Sequence, residues 1–117
     1  PYIIGYDKWF SQSFLQWCDK KTGYGFKTEA VYQGKYLSFP MKMVERDLNA
    51  RLINYGNNPV LRYCFANTSV KISSDENIQP VKIDGQYARK IDGAVTLMML
   101  YATLSKNEIT FGDYVRR

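Results

Sequence analysis

Histidine is absent from this 117-residue chain, which removes imidazole general bases, histidine-containing nucleophile triads and His-ligated zinc from the available chemistry. Only two cysteines occur, Cys18 and Cys64. Both fall in segments that read as helical, and they lack the paired spacing of a zinc ribbon or a redox motif. Two buried thiols in a reducing compartment are therefore expected. A long apolar run is also missing. The richest stretch, Ala94 to Leu104, contains polar residues and falls short of the roughly twenty that a bilayer span needs, so a soluble chain with no membrane role is expected. No linker or low-complexity segment divides the sequence, which points to a single domain over residues 1–117. Any catalysis must run on carboxylates, lysines, tyrosines or hydroxyls.

Apolar residues make up 45% of the chain and aromatics 15%, enough to fill a real core at this length. The formal charge is +5 with a pI near 9.2. That balance favours an anionic partner, although an excess of this size is common in proteins that bind no nucleic acid. The sequence opens on Pro1-Tyr2-Ile3-Ile4-Gly5-Tyr6-Asp7, without an initiating methionine. It reads as a buried strand from almost the first residue, as in a fragment cut from a longer chain.

Asp7 ends that strand. Residues 8–20 carry Phe10, Phe14, Trp17 and Cys18 at helical spacing, which predicts a helix packed on a sheet, with Trp9, Phe10, Phe14 and Trp17 in the core. Thr22-Gly23 ends it, and Phe26 to Tyr32 is β-like. The strand, helix, strand order predicts a parallel βαβ crossover and an α/β fold. Ser38-Phe39-Pro40 opens a second helix with Met41, Val44, Leu48 and Leu52 on one side. Asn58 caps a short third helix with Pro59 at its first position and Val60, Leu61, Cys64 and Phe65 on its apolar face. Asn67 reads as a turn residue. Thr68–Ser73 and Ile78–Ile83 flank a polar turn, predicting a β-hairpin before the last helix. That helix runs from about Asp92 to Leu104 with Val95, Met98, Met99 and Ala102 inward, followed by a short tail.

Two acidic residues fall at element boundaries. Asp7 ends a strand and Asp92 opens a helix, and ligands of open α/β sheets gather where strands end and helices begin. Paired carboxylates suit Mg²⁺ or Mn²⁺, which prefer oxygen ligands, and such a centre can clamp a phosphodiester while activating water. Helix capping is the plainer role for both residues, and the local pattern leaves both open. The tetrapeptide Lys-Ile-Asp-Gly occurs twice, so Asp84 competes with Asp92, but Asp84-Gly85 is a standard turn pair. Asp113 has no supporting context. Lys71, Lys82, Arg89 and Lys90 lie on the hairpin or just before the last helix, where they could meet DNA phosphates or be simply solvated. Tyr87 could stack or pack.

Taken in order, Gly5-Tyr6-Asp7-Lys8-Trp9, Leu37-Ser38-Phe39-Pro40-Met41-Lys42, Gly56-Asn57-Asn58-Pro59-Val60-Leu61-Arg62, Asn67 and Lys90-Ile91-Asp92-Gly93-Ala94-Val95 resemble the large terminase subunit of tailed bacteriophages. The resemblance runs from Gly5 to about Thr103 and corresponds to the C-terminal part of the nuclease domain. It implies a partial ribonuclease H-like fold, with a mixed or parallel sheet flanked by helices. It also implies a nuclease of three acidic residues with Mg²⁺ or Mn²⁺, which cuts concatemeric double-stranded viral DNA during packaging. By position, Asp7 matches the middle acid and Asp92 the last, and only Asp92 is followed by the apolar Ala-Val-Thr-Leu-Met-Met run. Lys82, Arg89, Lys90 and Lys71 would then hold the duplex backbone. The portal protein and small terminase subunit are the implied partners, and the cytoplasm of the bacterial host the implied location.

The family's first acid lies upstream of Pro1, and no Walker A loop is present. This stretch alone is therefore expected to cut feebly or not at all. Without the opening strands of the fold it would expose a sheet edge able to pair with another copy. The competing hypothesis is a non-catalytic DNA- or portal-binding module whose aspartates are helix caps.

Overall fold

Ile4–Asp7 forms strand β1 and Thr28–Val31 forms strand β2, and helix α1, Gln12–Thr22, lies between them in sequence. The strands pair in parallel, from Ile4 opposite Thr28 to Asp7 opposite Val31, which is the expected βαβ crossover. The computed structural model describes residues 2–9, 12–22 and 27–116. The expectations at Phe10, Gly23 and Phe26 lie outside the described residues. A 3-10 turn, Gly34–Leu37, then leads into helix α2, Ser38–Asn49, and helix α3, Pro59–Ala66. Strands β3, Thr68–Ile72, and β4, Ile78–Lys82, pair antiparallel as the predicted hairpin, and helix α4, Asp92–Arg116, closes the chain. The α/β class is borne out. Among the described residues the strands divide between two two-stranded sheets, one parallel and one antiparallel.

The core gathers Val31, Leu37, Met41, Val44, Cys64, Ala94 and Met98, so α2 and α3 pack on α4 with the end of β2 beneath them. Local chemistry fixes these elements. The Asn58 side chain accepts from the backbone N–H groups of Val60 and Leu61 at 2.9 and 3.3 Å, with Pro59 in the first turn of α3. Two orphan donors of the helix are thereby satisfied. Buried Ser38 accepts the Ile78 N–H at 3.0 Å and so ties the start of α2 to β4.

A second tie joins α2 to α4: the Tyr101 hydroxyl donates to Asp47 Oδ2 at 2.7 Å. Desolvation, reinforced by the Asp47 carboxylate, pushes the Tyr101 phenol up to about 12. The bonds from Arg46 and then Tyr101 hold Asp47 below the usual carboxylate range. Because the folded phenol pKa is raised, its contribution is complete below the unfolded value of about 10 and fades as pH rises through about 12. Tyr101→Phe is expected to cost about 1.5 kcal/mol at pH 7, near the low end for a bond to a charged acceptor. Urea unfolding should show the gap between variant and parent narrowing from pH 9 to pH 12.

The approach of α4 to β1 is close enough to demand glycine. A Cβ built on Gly5 would lie 2.0 Å from Thr103 Oγ1 and 3.3 Å from Val31 Cγ2. Tyr2 stacks on Tyr114 with centroids 4.6 Å apart and lies 5.8 Å from Phe111. The strand therefore starts beside the C-terminal part of α4 and runs toward that helix's N-terminus.

Several expectations need correction. Trp9, Phe14 and Trp17 are exposed, at 74%, 63% and 56%, rather than core. Trp9 lies in the turn that follows β1, outside α1, although a helix was expected from residue 8. The spacing of Phe14 and Trp17 identifies one face of α1, which little covers among the described residues. Cys18 is only half-buried, whereas Cys64 is buried. Val60 is exposed on α3. Leu52 is exposed as well, because α2 stops at Asn49 in a cap that turns the chain. Arg51 takes a φ of +57°, and the N–H groups of Arg51 and Leu52 return to the carbonyls of Leu48 and Asp47, the Schellman arrangement with arginine in the usual glycine position. The expected tail after Leu104 is helical instead: α4 continues to Arg116 across a kink at Asn107. The Asn107 side chain donates to the Thr103 carbonyl and to Glu29 of β2.

Candidate active site

Asp7 is the last residue of β1 and Asp92 the first of α4. The antiparallel course of strand and helix sends both toward the same end of the molecule. A groove of about 500 Å³ along their junction is lined by Asp7 at one end and by Thr96, Met99 and Thr103 of α4. From Thr103 back to Asp92 is about 16 Å of helix, and from Gly5 to Asp7 about 7 Å of strand. The remaining offset between the two aspartates along the helix is thus about 10 Å.

The local bonding separates the two residues. Asp7 Oδ1 accepts the Trp9 N–H at 3.0 Å, forming a turn that redirects the chain beyond β1. This is a structural duty, and it occupies one oxygen. Asp92 is not the helix cap. The first intrahelical bond runs from Val95 N–H to the Ile91 carbonyl, so Ile91 holds the cap position and Asp92 is one residue inside it. Its carboxylate is exposed and has no hydrogen-bond partner among the described residues. The charge still suits the positive end of the helix dipole.

What positions Asp92 is a residue the sequence did not single out for that role. Asn67, only 3% exposed, donates from its side chain to the Lys90 carbonyl at 3.1 Å. That bond pins the segment before α4 to the end of α3. On the other flank, Gly93 sits so close to α3 that a Cβ there would lie 2.9 Å from Leu61 and 3.2 Å from the Cys64 sulfur. Reading Asn67 as a turn residue captured its place at the end of α3 but not its reach across 23 positions.

The basic residues are spread more widely. Arg89 and Lys90 are exposed just before Asp92. Lys82 ends β4 and donates its ammonium to the Tyr87 carbonyl at 2.8 Å, which braces the loop leading to α4. Lys71 is exposed in β3 opposite Gln79, about 10 Å along the hairpin from Lys82. Asp84 occupies the expected turn with Gly85 at a φ of +76°, and its carboxylate accepts from Tyr87, whose ring is exposed. Asp113 pairs with Arg116 on the surface at 3.4 Å.

Two carboxylates form a hard oxygen donor set of the kind that Mg²⁺ and Mn²⁺ accept. No group of three or more acidic, histidine or cysteine side chains able to hold a metal is assembled among the described residues. No helix among them is long and apolar enough to cross a membrane.

Comparison with known proteins adds an independent line. The model of a family described as terminase large subunit, endonuclease domain, matches residues 2–108. Protein YmfN of Escherichia coli (strain K12) is 34% identical over 83 residues, which cover 68% of this chain and 18% of that protein. The matched stretch thus spans less than a fifth of that relative. No solved structure matches.

Proposed function

Since the chain belongs to the terminase large subunit endonuclease family, we propose that it carries two acidic ligands, Asp7 and Asp92, of a metal-dependent endonuclease that cuts concatemeric double-stranded viral DNA during packaging. The observation that supports this reading is the opposed course of β1 and α4, which directs the C-terminal end of one and the N-terminal end of the other toward the same end of the molecule, with Asp7 lining the groove between them. Asp92 and the free oxygen of Asp7 would hold Mg²⁺ or Mn²⁺, and the ion when bound would activate water and stabilise the leaving oxygen. Arg89 and Lys90, next to Asp92, would hold the phosphate backbone, with Lys82 and Lys71 extending that contact along the hairpin. Phosphate contacts position DNA without reading bases, so cutting has little sequence preference.

The family's first acid lies upstream of Pro1 in this reading, and residues 1–117 form the C-terminal portion of the nuclease domain. The whole protein would work with a portal protein and a small terminase subunit in the host cytoplasm. A free sheet edge at β1 would be filled by the rest of the domain, or by a second copy where that part is missing. The first experiment is metal removal from a protein with the complete domain. Linear duplex DNA should be cleaved with Mg²⁺ or Mn²⁺ and left intact with a chelator. Duplex binding that persists without any metal-dependent cleavage would instead identify a non-catalytic binding module.

A further inference from the structure

Cations and exposed aromatic rings alternate around the C-terminal ends of β1 and β2. The two strands are parallel with Asp7 opposite Val31, so the residues that follow each, Lys8-Trp9 and Tyr32, emerge side by side. The 3-10 turn that begins at Gly34, with a φ of +70°, brings Lys35 and Tyr36 back to the same edge. Lys8 Nζ lies 5.2 Å from the Tyr32 ring centre, 5.6 Å from that of Trp9 and 3.4 Å from the Tyr32 hydroxyl. The Tyr32 and Tyr36 rings are 5.5 Å apart, and Lys35 Nζ is 5.9 Å from the Tyr36 ring. Cation–π contact accounts for the order within the cluster. It does not account for the exposure, which is 74% at Trp9, 65% at Tyr36 and 42% at Tyr32.

Flat rings open to solvent and interleaved with ammonium groups match the two halves of a nucleotide, because bases stack on the rings and phosphates pair with the cations. Lys8 and Trp9 also line a cleft of about 340 Å³. We propose that Lys8, Trp9, Tyr32, Lys35 and Tyr36 form a subsite for an unpaired stretch of DNA strand beside Asp7. This inference deepens the nuclease reading and rests on it for the choice of ligand. A duplex hides its base faces, so the rings would engage only a frayed or newly cut strand, holding it after cleavage while the basic residues near Asp92 hold duplex.

The test measures binding by the full chain, in chelator, of a fluorescent oligothymidylate and of a duplex of matched charge. Under these conditions cleavage plays no part, so loss of nuclease activity and loss of this site are read separately. Trp9→Leu combined with Tyr36→Leu is expected to weaken oligothymidylate binding about tenfold or more, since stacking on a single ring carries that much, with duplex affinity changed less than about twofold. Trp9→Phe combined with Tyr36→Phe should restore binding and guards against a folding artefact. Lys8→Gln should reduce the salt dependence for the single strand. Equal loss on duplex, no loss on either DNA, or competition by an oligoglutamate peptide as effective as the oligothymidylate would overturn the proposal.

Discussion

Asp92→Asn in a protein carrying the complete domain is expected to reduce DNA cleavage at least about 100-fold. Even residues that only support a metal ligand commonly cost 10- to 100-fold when changed, and a proposed ligand should cost no less. The substitution keeps the shape of the side chain and removes its charge. Asp92 makes no cap bond and is exposed, so folding should lose less than about 1 kcal/mol, the scale of one charge at a helix terminus. Asp84→Asn is the matched control, since it alters the same tetrapeptide at a turn; its cleavage should stay within about twofold of the parent. A full loss of cleavage with an unchanged urea midpoint separates chemistry from stability. Parent-level cleavage by the Asp92 variant would remove that residue from the mechanism.

The second large effect lies where β1 meets α4. Gly5→Ala places a methyl 2.0 Å from Thr103 Oγ1 and 3.2 Å from Thr103 Cβ. Rotating the threonine gives only partial relief: its hydroxyl would leave the Met99 carbonyl, 2.9 Å away, and its Cβ would stay in place. Val31, a core residue, blocks retreat on the other side. The strand and helix must therefore separate, with an expected cost of about 2–3 kcal/mol, typical of overpacking. Urea unfolding should show this directly. Combining Gly5→Ala with Thr103→Ala should cost at least about 1 kcal/mol less than the sum of the single changes, because the two residues share one contact. Cleavage should fall with the separation, since this contact also sets where Asp7 stands relative to Asp92.

How much of this was legible in sequence depends on whether a signal was local. Asn58-Pro59 announced α3 because cap and first-turn chemistry sit in adjacent residues, and the polar turn between two β-rich runs announced the hairpin. The aromatic spacing of α1 gave the helix and its face, but periodicity does not say what covers a face, and Phe14 and Trp17 are exposed. The end of α2 was misplaced because Arg51 adopts a conformation usually left to glycine. Gly5 carried an unused clue, since glycine inside a strand often marks another element passing close by.

The site was legible in part. Asp7 and Asp92 could be named as candidates from their places at element ends and from the family resemblance, yet 85 positions separate them. That both point toward one end of the molecule depends on Gly5 against Thr103 and Tyr2 against Tyr114. The bond from Asn67 to the Lys90 carbonyl is equally non-local. Short motifs can suggest which residues meet, but tertiary contacts are needed to specify how.

Whether Asp7 and Asp92 share one divalent ion is tested most directly by Mn²⁺ binding, followed by electron paramagnetic resonance, in a protein carrying the complete domain and in its Asp7→Asn, Asp92→Asn and double variants. Each single change should weaken binding at the same site by at least about tenfold, and the double variant should lose less than the product of the two single losses, as expected for ligands of a common ion. Parent-level Mn²⁺ affinity in both single variants, or losses that multiply independently, would contradict a shared centre.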